Sequence, residues 1–208
     1  MFGLSVKELA VLRKLSTPEK IQDFLDALPM NHEKQGDTCL SPRQVLKAKK
    51  AHCIEGAMLA AAALWLHGNE PLLLDLKTIR PDYDHIVALF QRNGYWGAIS
   101  KTNHAVLRYR DPIYRTVREL ALSYFHEYFL YTTGRKTLRS YSVPFSLKRF
   151  GTAWITAEQD VWHIAEAIDD ARHFSLVPKK NERFLRKTSL LERSIGRIPE
   201  WKKTDKRT

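Results

Sequence analysis

The sequence predicts an α+β protein in which helices occupy the first third of the chain and a small antiparallel sheet follows. Residues 53–67 are apolar on all sides when drawn as a helix, which is the pattern of a helix buried in a core. Short apolar runs follow at residues 71–76 and 85–90, and Asn93-Gly94 then favours a tight hairpin turn into a return strand. We therefore expect one buried helix packed on an antiparallel sheet, with additional helices around this core.

Three short helices are predicted before the buried one. Residues 6–15 carry apolar side chains at helical spacing. Residues 16–19, Ser-Thr-Pro-Glu, supply a capping residue, a proline suited to the first turn and an acid, and they predict a second helix over residues 20–28. The polar residues 30–38 predict a loop, and a third helix is expected over residues 42–50.

Beyond the hairpin, three further elements are predicted and the signals then weaken. They are, in chain order, an amphipathic helix at 113–129, an extended stretch at 137–150 and a helix at 157–174. We expect residues 1–130 to form the main domain. Residues 131–208 are expected to form a basic C-terminal extension that is helical and partly flexible.

The composition indicates a soluble globular protein. Of the 208 residues, 44% are hydrophobic and 11% are aromatic, which argues against a disordered chain. No apolar run reaches the roughly 18 residues that a membrane-spanning helix needs, and residues 1–16 lack the apolar core of a secretory signal. The two cysteines, Cys39 and Cys53, are too few for a disulfide framework. We therefore predict a cytoplasmic protein that does not associate with a membrane.

Positive charge is concentrated in the last part of the chain. The net charge is +11, and residues 131–208 contribute +8 of it, from 17 Lys and Arg against 9 Asp and Glu. Such a basic end occurs in proteins that bind nucleic acid or anionic surfaces, and also in proteins that simply have a well-solvated surface. No nucleic-acid motif accompanies the charge, so nucleic acid is a partner that the sequence allows but does not favour. Binding to DNA or RNA that weakens steeply with salt would support it.

The most informative residue is Cys53, which opens the buried helix. The dipole and the free N–H groups at a helix N-terminus stabilise a thiolate, which is the reactive form of cysteine. Lys49 and Lys50 add positive potential just before it. A lone buried cysteine is more often a small core residue than a nucleophile. A nucleophile also needs a base partner that a third group orients.

His85, at the start of the second strand, is the best candidate for that base. The hairpin turn brings the residues near 98–101 alongside it. Ser100 and the nearby Asn103 are the polar side chains there that could orient the imidazole. The predicted order is thus a cysteine on a helix, a histidine on a strand and a polar residue on the neighbouring strand.

This order of elements resembles the transglutaminase-like branch of the papain-like cysteine enzymes. The matching stretches are CIEGAMLAAAALWLHGNEPLLLDL from Cys53, DHIVALF with His85 and YWGAIS with Trp96, and KIQDFLDALPMN and SPRQVLKAKKAHC fit the lead-in. The resemblance covers about residues 18–105. It implies a papain-like core and acyl transfer through a thioester on the cysteine. Counted from Trp96, the acidic third position of the family falls on Ser100 instead of an aspartate.

Three further residues are assigned to the cleft. Gln35 is the candidate for a side chain that stabilises the oxyanion, and Trp96 and His104 are candidates for binding substrate. A metal site that joins Cys39 and His52 to the helix-opening cysteine is an alternative, but a fourth ligand at a recognisable spacing is missing. We predict no metal and no cofactor.

Together these observations predict a cysteine-dependent amide hydrolase or acyltransferase that acts on a peptide or protein amide. Because a serine supplies no negative charge to stabilise an imidazolium, the first alternative is a catalytically weak member of the same fold that binds a peptide or protein. The second alternative is a nucleic-acid-associated basic protein. The sequence predicts neither the individual substrate nor the oligomeric state.

Overall fold

Eight helices and seven strands form an α+β fold in the computed structural model, which describes residues 2–202. The helices are α1 (Val6–Lys14), α2 (Pro18–Ala27), α3 (Pro42–Ala48), α4 (Cys53–Leu66), α5 (Val117–Ser123), α6 (Ala153–Thr156), α7 (Trp162–Asp169) and α8 (Leu190–Gly196). The strands are β1 (Leu72–Thr78), β2 (His85–Arg92), β3 (Tyr95–Ile99), β4 (Arg110–Tyr114), β5 (Leu138–Ser142), β6 (Phe145–Ser146) and β7 (His173–Ser175). The predicted combination of helices with an antiparallel sheet is confirmed.

All seven strands belong to one antiparallel sheet in the order β4-β3-β2-β1-β5-β7, with β6 also paired to β1. β2 and β3 pair so that Ala88 lies opposite Ile99. In the turn between them, Asn93 has a φ of 53° and Gly94 a φ of 82°. Positive φ at both central positions is typical of a type I′ turn, which an Asn-Gly dipeptide favours. This hairpin places the end of β3 beside the start of β2.

The helix α4 is central, and its residues 54–64 are all buried. It packs on one face of the sheet, where Leu73 and Ile99 belong to the same apolar cluster, and against the N-terminal helices. It also approaches the segment after β3 closely, because a Cβ on Gly56 would lie 2.5 Å from the Cβ of Lys101. At 14 residues α4 is the longest described helix, and none of the helices within residues 2–202 is long and apolar enough to cross a membrane.

The other face of the sheet is covered by α5 and the aromatic residues that follow it. Leu74, Val87 and Leu89 form a second apolar cluster there with Tyr124 and Tyr128. Side chains alternate between the two faces of a strand, so both faces of the sheet are buried. This explains why β1 and β2 are almost uninterrupted apolar runs, a pattern that sheets covered on both sides share.

The N-terminal helices begin at side-chain caps, as their sequences predict. The hydroxyls of Ser5, Thr17 and Ser41 each accept a hydrogen bond from the backbone N–H three residues further on. Prolines occupy the first turn of α2 and α3. The helix α3 ends at Lys49, whose φ of 52° is left-handed, and the chain turns there into the short link that leads to α4.

The predicted helix at 113–129 is replaced by a strand and a shorter helix. β4 takes the first residues and pairs with β3 at the edge of the sheet. Its residues alternate between half-buried and exposed, which is a period of two and fits a strand. Thr116 then caps α5 through its side chain, and this cap sets the helix start later than predicted.

The predicted helix at 157–174 is also shorter, because its first residues are tied to the core. The backbone N–H of Val161 donates to the carbonyl oxygen of Cys39 at 2.9 Å. The Asp160 carboxylate accepts the Cys39 N–H at 3.1 Å. These bonds hold the chain outside a helix until α7 begins, and β7 follows α7.

The chain after residue 130 contributes strands to the same sheet. The extended stretch predicted at 137–150 contains β5 and β6. β5 pairs directly with β1, opposite Leu76 and Lys77. The sheet therefore runs across the boundary that the sequence analysis places at residue 130.

Candidate active site

Cys53 is the first residue of α4 and is half-buried. The backbone just before it is fixed by a bridge in which Ala51 donates to the carbonyl of Pro29 at 3.2 Å and accepts from Asn31 at 3.0 Å. The loop after α2 is therefore attached to the link that leads into α4. The first N–H groups of a helix have no intrahelical acceptor, so this end of α4 favours negative charge on the sulfur.

Glu55 is a fully buried carboxylate in the first turn of the same helix. It accepts hydrogen bonds from the side chains of Asn31 at 3.1 Å and Thr38 at 2.8 Å. It also accepts from the backbone N–H groups of Leu40 at 3.0 Å and His52 at 2.9 Å. Burial alone would raise the pKa of Glu55, but these bonds and the charge of His52 outweigh it and lower the pKa to about 2. Glu55 is therefore a fixed negative charge at the start of α4.

His52 connects that negative charge to the cysteine. Its Nε2 lies 2.8 Å from the carbonyl oxygen of Thr38 and 3.3 Å from Oε1 of Glu55, while its Nδ1 lies 4.0 Å from Sγ of Cys53. Because a carbonyl oxygen can only accept, Nε2 carries a proton and Nδ1 faces the sulfur. Burial would lower the pKa of His52, but the Cys53 sulfur and the Glu55 carboxylate outweigh burial and raise that pKa well above its ordinary value.

His85 reaches the cysteine from the sheet. It is only 6% exposed, and its Nε2 lies 2.8 Å from Oγ of Ser100. That hydroxyl donates its single proton to the carbonyl of Leu107 at 2.6 Å, so it accepts a proton from His85 Nε2. The neutral ring therefore has its free electron pair on Nδ1, the nitrogen left to meet the sulfur. His85 is close enough to Cys53 for its hydrogen bonding and its charge to lower the pKa of the thiol.

Two histidines thus act on one sulfur. Burial alone would raise the pKa of the Cys53 thiol, but hydrogen bonds and positive charge from His52 and His85 outweigh burial and lower the pKa to about 5. Cys39, in contrast, is a fully buried member of the apolar core, and burial is the main reason why its pKa rises to about 12. The chain therefore has one thiol that ionises readily and one that stays protonated, and only the thiolate is a strong nucleophile.

Of the two residues predicted to orient the imidazole, the structure places Ser100 against His85 and Asn103 elsewhere. The Asn103 amide donates to the carbonyl of Trp201 at 2.9 Å and accepts its N–H at 2.7 Å. The hydrogen-bond acceptor that orients His85 is therefore an uncharged hydroxyl. The buried carboxylate of the site, that of Glu55, instead contacts the other histidine, His52.

The remaining predicted cleft residues are not all near the cysteine. Burial is the main cause that lowers the pKa of His104, and the charge of the nearby His85 contributes to the shift. The Nδ1 of His104 lies 2.5 Å from the hydroxyl oxygen of Tyr131. Gln35 is exposed and lines a cavity of about 340 Å³ together with Thr38. Trp96 packs into the apolar cluster on the α5 side of the sheet, so its role there is in the core.

A second group of ionisable side chains joins β1 to the end of α7. Within residues 2–202, Asp75, Asp84 and Asp169 are the one set of potential metal ligands whose ligand atoms all lie within 4.8 Å of one another. Lys77 donates to Asp169 at 2.5 Å, and His173 Nε2 lies 3.0 Å from Asp75. Lys77 therefore supplies positive charge to these carboxylates, and the group forms an ion-pair network. The alternative metal site at the helix-opening cysteine is not brought together.

Glu55 is the functional residue that the sequence analysis missed. A signal was present, because His52 and Glu55 have the spacing of a capping box and the structure forms that box. A glutamate inside an otherwise apolar helix also requires buried partners, since an unpaired buried charge is strongly unfavourable. What the sequence does not reveal is that the loop after α2 folds back to supply them.

No protein-family model matches the chain, and comparison with curated proteins finds no match either. The chemistry of the site is therefore argued from its own residues. They are a cysteine at a helix N-terminus, two histidines with fixed tautomers and one buried carboxylate. This combination suits nucleophilic attack by sulfur coupled to proton transfer.

Proposed function

We propose that the protein is a cysteine-dependent amide hydrolase or acyltransferase with Cys53 as its nucleophile, built on a papain-like core of the transglutaminase-like type. One observation carries the proposal. His52 Nδ1 lies 4.0 Å from the Cys53 sulfur and His85 is close enough to lower the pKa of the same thiol, while Thr38 and Ser100 hold the Nε2 atoms of the two rings. The order of helix cysteine, strand histidine and serine after the neighbouring strand supports the assignment of the core.

The two histidines have different roles in this mechanism. His52, held against the Glu55 carboxylate, stays protonated and stabilises the thiolate form of Cys53. His85, held by a neutral hydroxyl, is the group that exchanges protons with the reactants. A permanent charge and a mobile proton are thereby assigned to separate side chains.

In the first half-reaction, Nδ1 of His85 holds the proton that Cys53 has given up, and the thiolate attacks an amide or ester carbonyl. A C–S bond forms while the carbonyl electron pair moves onto oxygen, where the Cys53 N–H and the α4 dipole stabilise it. The oxyanion then re-forms the carbonyl, and the C–N or C–O bond breaks. His85 gives its proton to the leaving amine or alcohol, and a thioester remains on the cysteine.

In the second half-reaction, His85 takes a proton from water or from an amine that attacks the thioester. The new C–O or C–N bond forms, the C–S bond breaks and the sulfur leaves as a thiolate. Water gives hydrolysis and an amine gives acyl transfer. The shape of the cleft around the thioester determines which of the two nucleophiles reaches it.

The test measures iodoacetamide alkylation of Cys53 by peptide mapping as a function of pH. We expect the rate to rise through a midpoint near 5, with the buried Cys39 labelled far more slowly in the same protein. His85→Ala is expected to slow the alkylation. If Cys53 labels no faster than Cys39 or a free thiol in solution, the nucleophile assignment is refuted.

Ser100 favours a second candidate, a cleft that binds a peptide or protein with little catalysis. A hydroxyl gives the His85 imidazolium no negative charge, and that kind of stabilisation is worth orders of magnitude in the serine-protease triad. An ester such as p-nitrophenyl acetate separates the two candidates. Acetyl-Cys53 that forms and is then hydrolysed supports the enzyme, whereas acetyl-Cys53 that accumulates without turnover supports the binding protein.

A further inference from the structure

The last described residues of the chain lie against the loop after β3, which begins with the Ser100 of the proposed site. The segment Ile198–Lys202 follows α8 and runs beside the loop after β3, the same loop that begins with Ser100. We call it the C-terminal segment. Its position is set by backbone pairing rather than by packing in the core.

The pairing between this segment and the loop has the pattern of a short added strand. Pro199 and His104 form an antiparallel bridge, and the Glu200 N–H donates to the carbonyl of Asn103 at 2.9 Å. The Asn103 side chain then binds both backbone groups of Trp201, at 2.7 and 2.9 Å. These three hydrogen bonds involve only the backbone of the C-terminal segment, so they would hold any extended peptide in this register.

The Trp201 side chain reaches from this pairing edge to the helical half of the molecule. It lines a cavity of about 800 Å³ with Phe24 and Leu28 of the α2 region, and the cavity of about 340 Å³ with Thr38. Thr38 is the residue whose carbonyl holds His52. The C-terminal segment therefore pairs with the loop that begins with Ser100 and lines a cavity together with the residue that holds His52.

We propose that this surface is the substrate-binding subsite for an extended peptide with an aromatic side chain, and that the C-terminal segment occupies it in the resting protein. The proposal rests on the proposed function, because it makes the occupant a stand-in for the substrate of Cys53. Asn103 provides recognition of the peptide backbone. The larger cavity, which Trp201 lines together with Phe24 and Leu28, provides apolar contacts for a large aromatic residue.

The segment is held weakly enough to be displaced. The ion pair between Glu200 and Arg108, at 3.1 Å, lies at the surface, and exposed ion pairs contribute little. Ile198 is 58% exposed, and on α8 Leu191 is 77% exposed, so the half-buried Trp201 is the main apolar anchor of the C-terminal segment. Local opening of such a peripheral segment is much less costly than global unfolding. A peptide that supplies the same backbone bonds can therefore replace it.

The test uses a fluorescein-labelled peptide with the sequence of residues 197–202, Arg-Ile-Pro-Glu-Trp-Lys, and measures fluorescence anisotropy with the full chain. In Trp201→Ala the protein's own tryptophan no longer fills the subsite, and we expect at least tenfold tighter peptide binding than in the unaltered protein. Trp162→Ala, which removes a 42% exposed tryptophan on α7, is the matched control and is expected to leave binding unchanged. A peptide with alanine in place of tryptophan is expected to bind at least tenfold more weakly.

A second variant guards against an effect of Trp201→Ala on folding. Glu200→Arg turns the contact with Arg108 into a repulsion and leaves the tryptophan in place, and it too is expected to increase peptide binding. Equal binding to all the proteins, or equal binding of the two peptides, overturns the inference. Iodoacetamide labelling of Cys53 is run on the same samples: rapid labelling without peptide binding refutes only the subsite, and peptide binding without rapid labelling refutes only the catalytic role.

Discussion

Replacing Glu55 by glutamine is the sharpest test of how charge is distributed in this site. The change keeps the shape of the side chain and removes its negative charge. Glu55 Oε1 lies 3.3 Å from Nε2 of His52, whose other nitrogen faces the Cys53 sulfur at 4.0 Å. If the carboxylate keeps His52 protonated, then its loss must reach the thiol and raise the pKa of Cys53.

The size of this effect follows from the contacts. A hydrogen bond to a charged group is worth about 1.5–3 kcal/mol, and about 1.4 kcal/mol corresponds to one pH unit. The variant should therefore lower the pKa of His52 by about one to two, and the pKa of Cys53 should rise by at most that amount. The glutamine amide also places donors among the donors of Asn31, Leu40 and His52. One or more of them loses its acceptor, and we expect the free energy of unfolding to fall by about 1–3 kcal/mol.

The assay is the pH dependence of iodoacetamide alkylation at Cys53, with urea denaturation on the same protein. Glu166→Gln, at an exposed position on α7, is the matched control and should change neither the midpoint nor the stability. A folded Glu55→Gln protein whose alkylation midpoint equals that of the unaltered protein would refute the reasoning. In that case either His52 owes its charge to other groups, or His85 alone activates the thiol.

Three further predictions concern neighbouring positions. Ser100→Ala removes the acceptor of His85 Nε2, so acyl turnover should fall by a smaller factor than in His85→Ala, as steady-state ester hydrolysis will show. Lys101 donates to the Leu25 and Leu28 carbonyls, and burial lowers its pKa from 10.5 to about 8. Between pH 8 and 10.5 the unfolded chain keeps this proton and the folded chain loses it, so the free energy of unfolding should rise with pH across this window. Lys101→Met should flatten that rise, as urea denaturation at several pH values will show. Gly56→Ala brings a Cβ to 2.5 Å from that of Lys101 and should cost about 1–3 kcal/mol, measured by thermal unfolding.

The parts of the fold that the sequence predicts are those fixed by local signals. Hydroxyl caps and prolines mark the starts of α2 and α3, and the Asn-Gly turn between β2 and β3 adopts the backbone that its residues favour. The structure of the segment 113–129 is harder to predict, because its alternating apolar residues are compatible both with an edge strand and with the first turns of a helix. The pairing of β5 with β1 was outside the reach of local reasoning, since about 60 residues separate the two strands.

In the candidate site, too, local signals predict some residues and not others. Cys53, His85 and Ser100 could be predicted because the order of a helix and a hairpin sets them beside one another. The partners of Glu55 could not, because Thr38 comes to it from a loop whose path depends on the bridge to Ala51. The contact between Asn103 and Trp201 joins residues that are 98 positions apart in the chain, so no local sequence pattern predicts it.

The absence of an acid at position 100 has a physical reason in this structure. The Ser100 backbone is fixed by Gln22, which accepts its N–H at 2.9 Å and donates to its carbonyl at 2.8 Å. Its hydroxyl then donates to the Leu107 carbonyl at 2.6 Å, in surroundings where Ser100 is 1% exposed. A carboxylate in that place would face a carbonyl oxygen without a proton to give it, and burial would add to the cost. A hydroxyl both donates to Leu107 and accepts from the histidine, so the negative charge is supplied from Glu55 through the other histidine, and His85 has no fixed anion beside it when it exchanges protons.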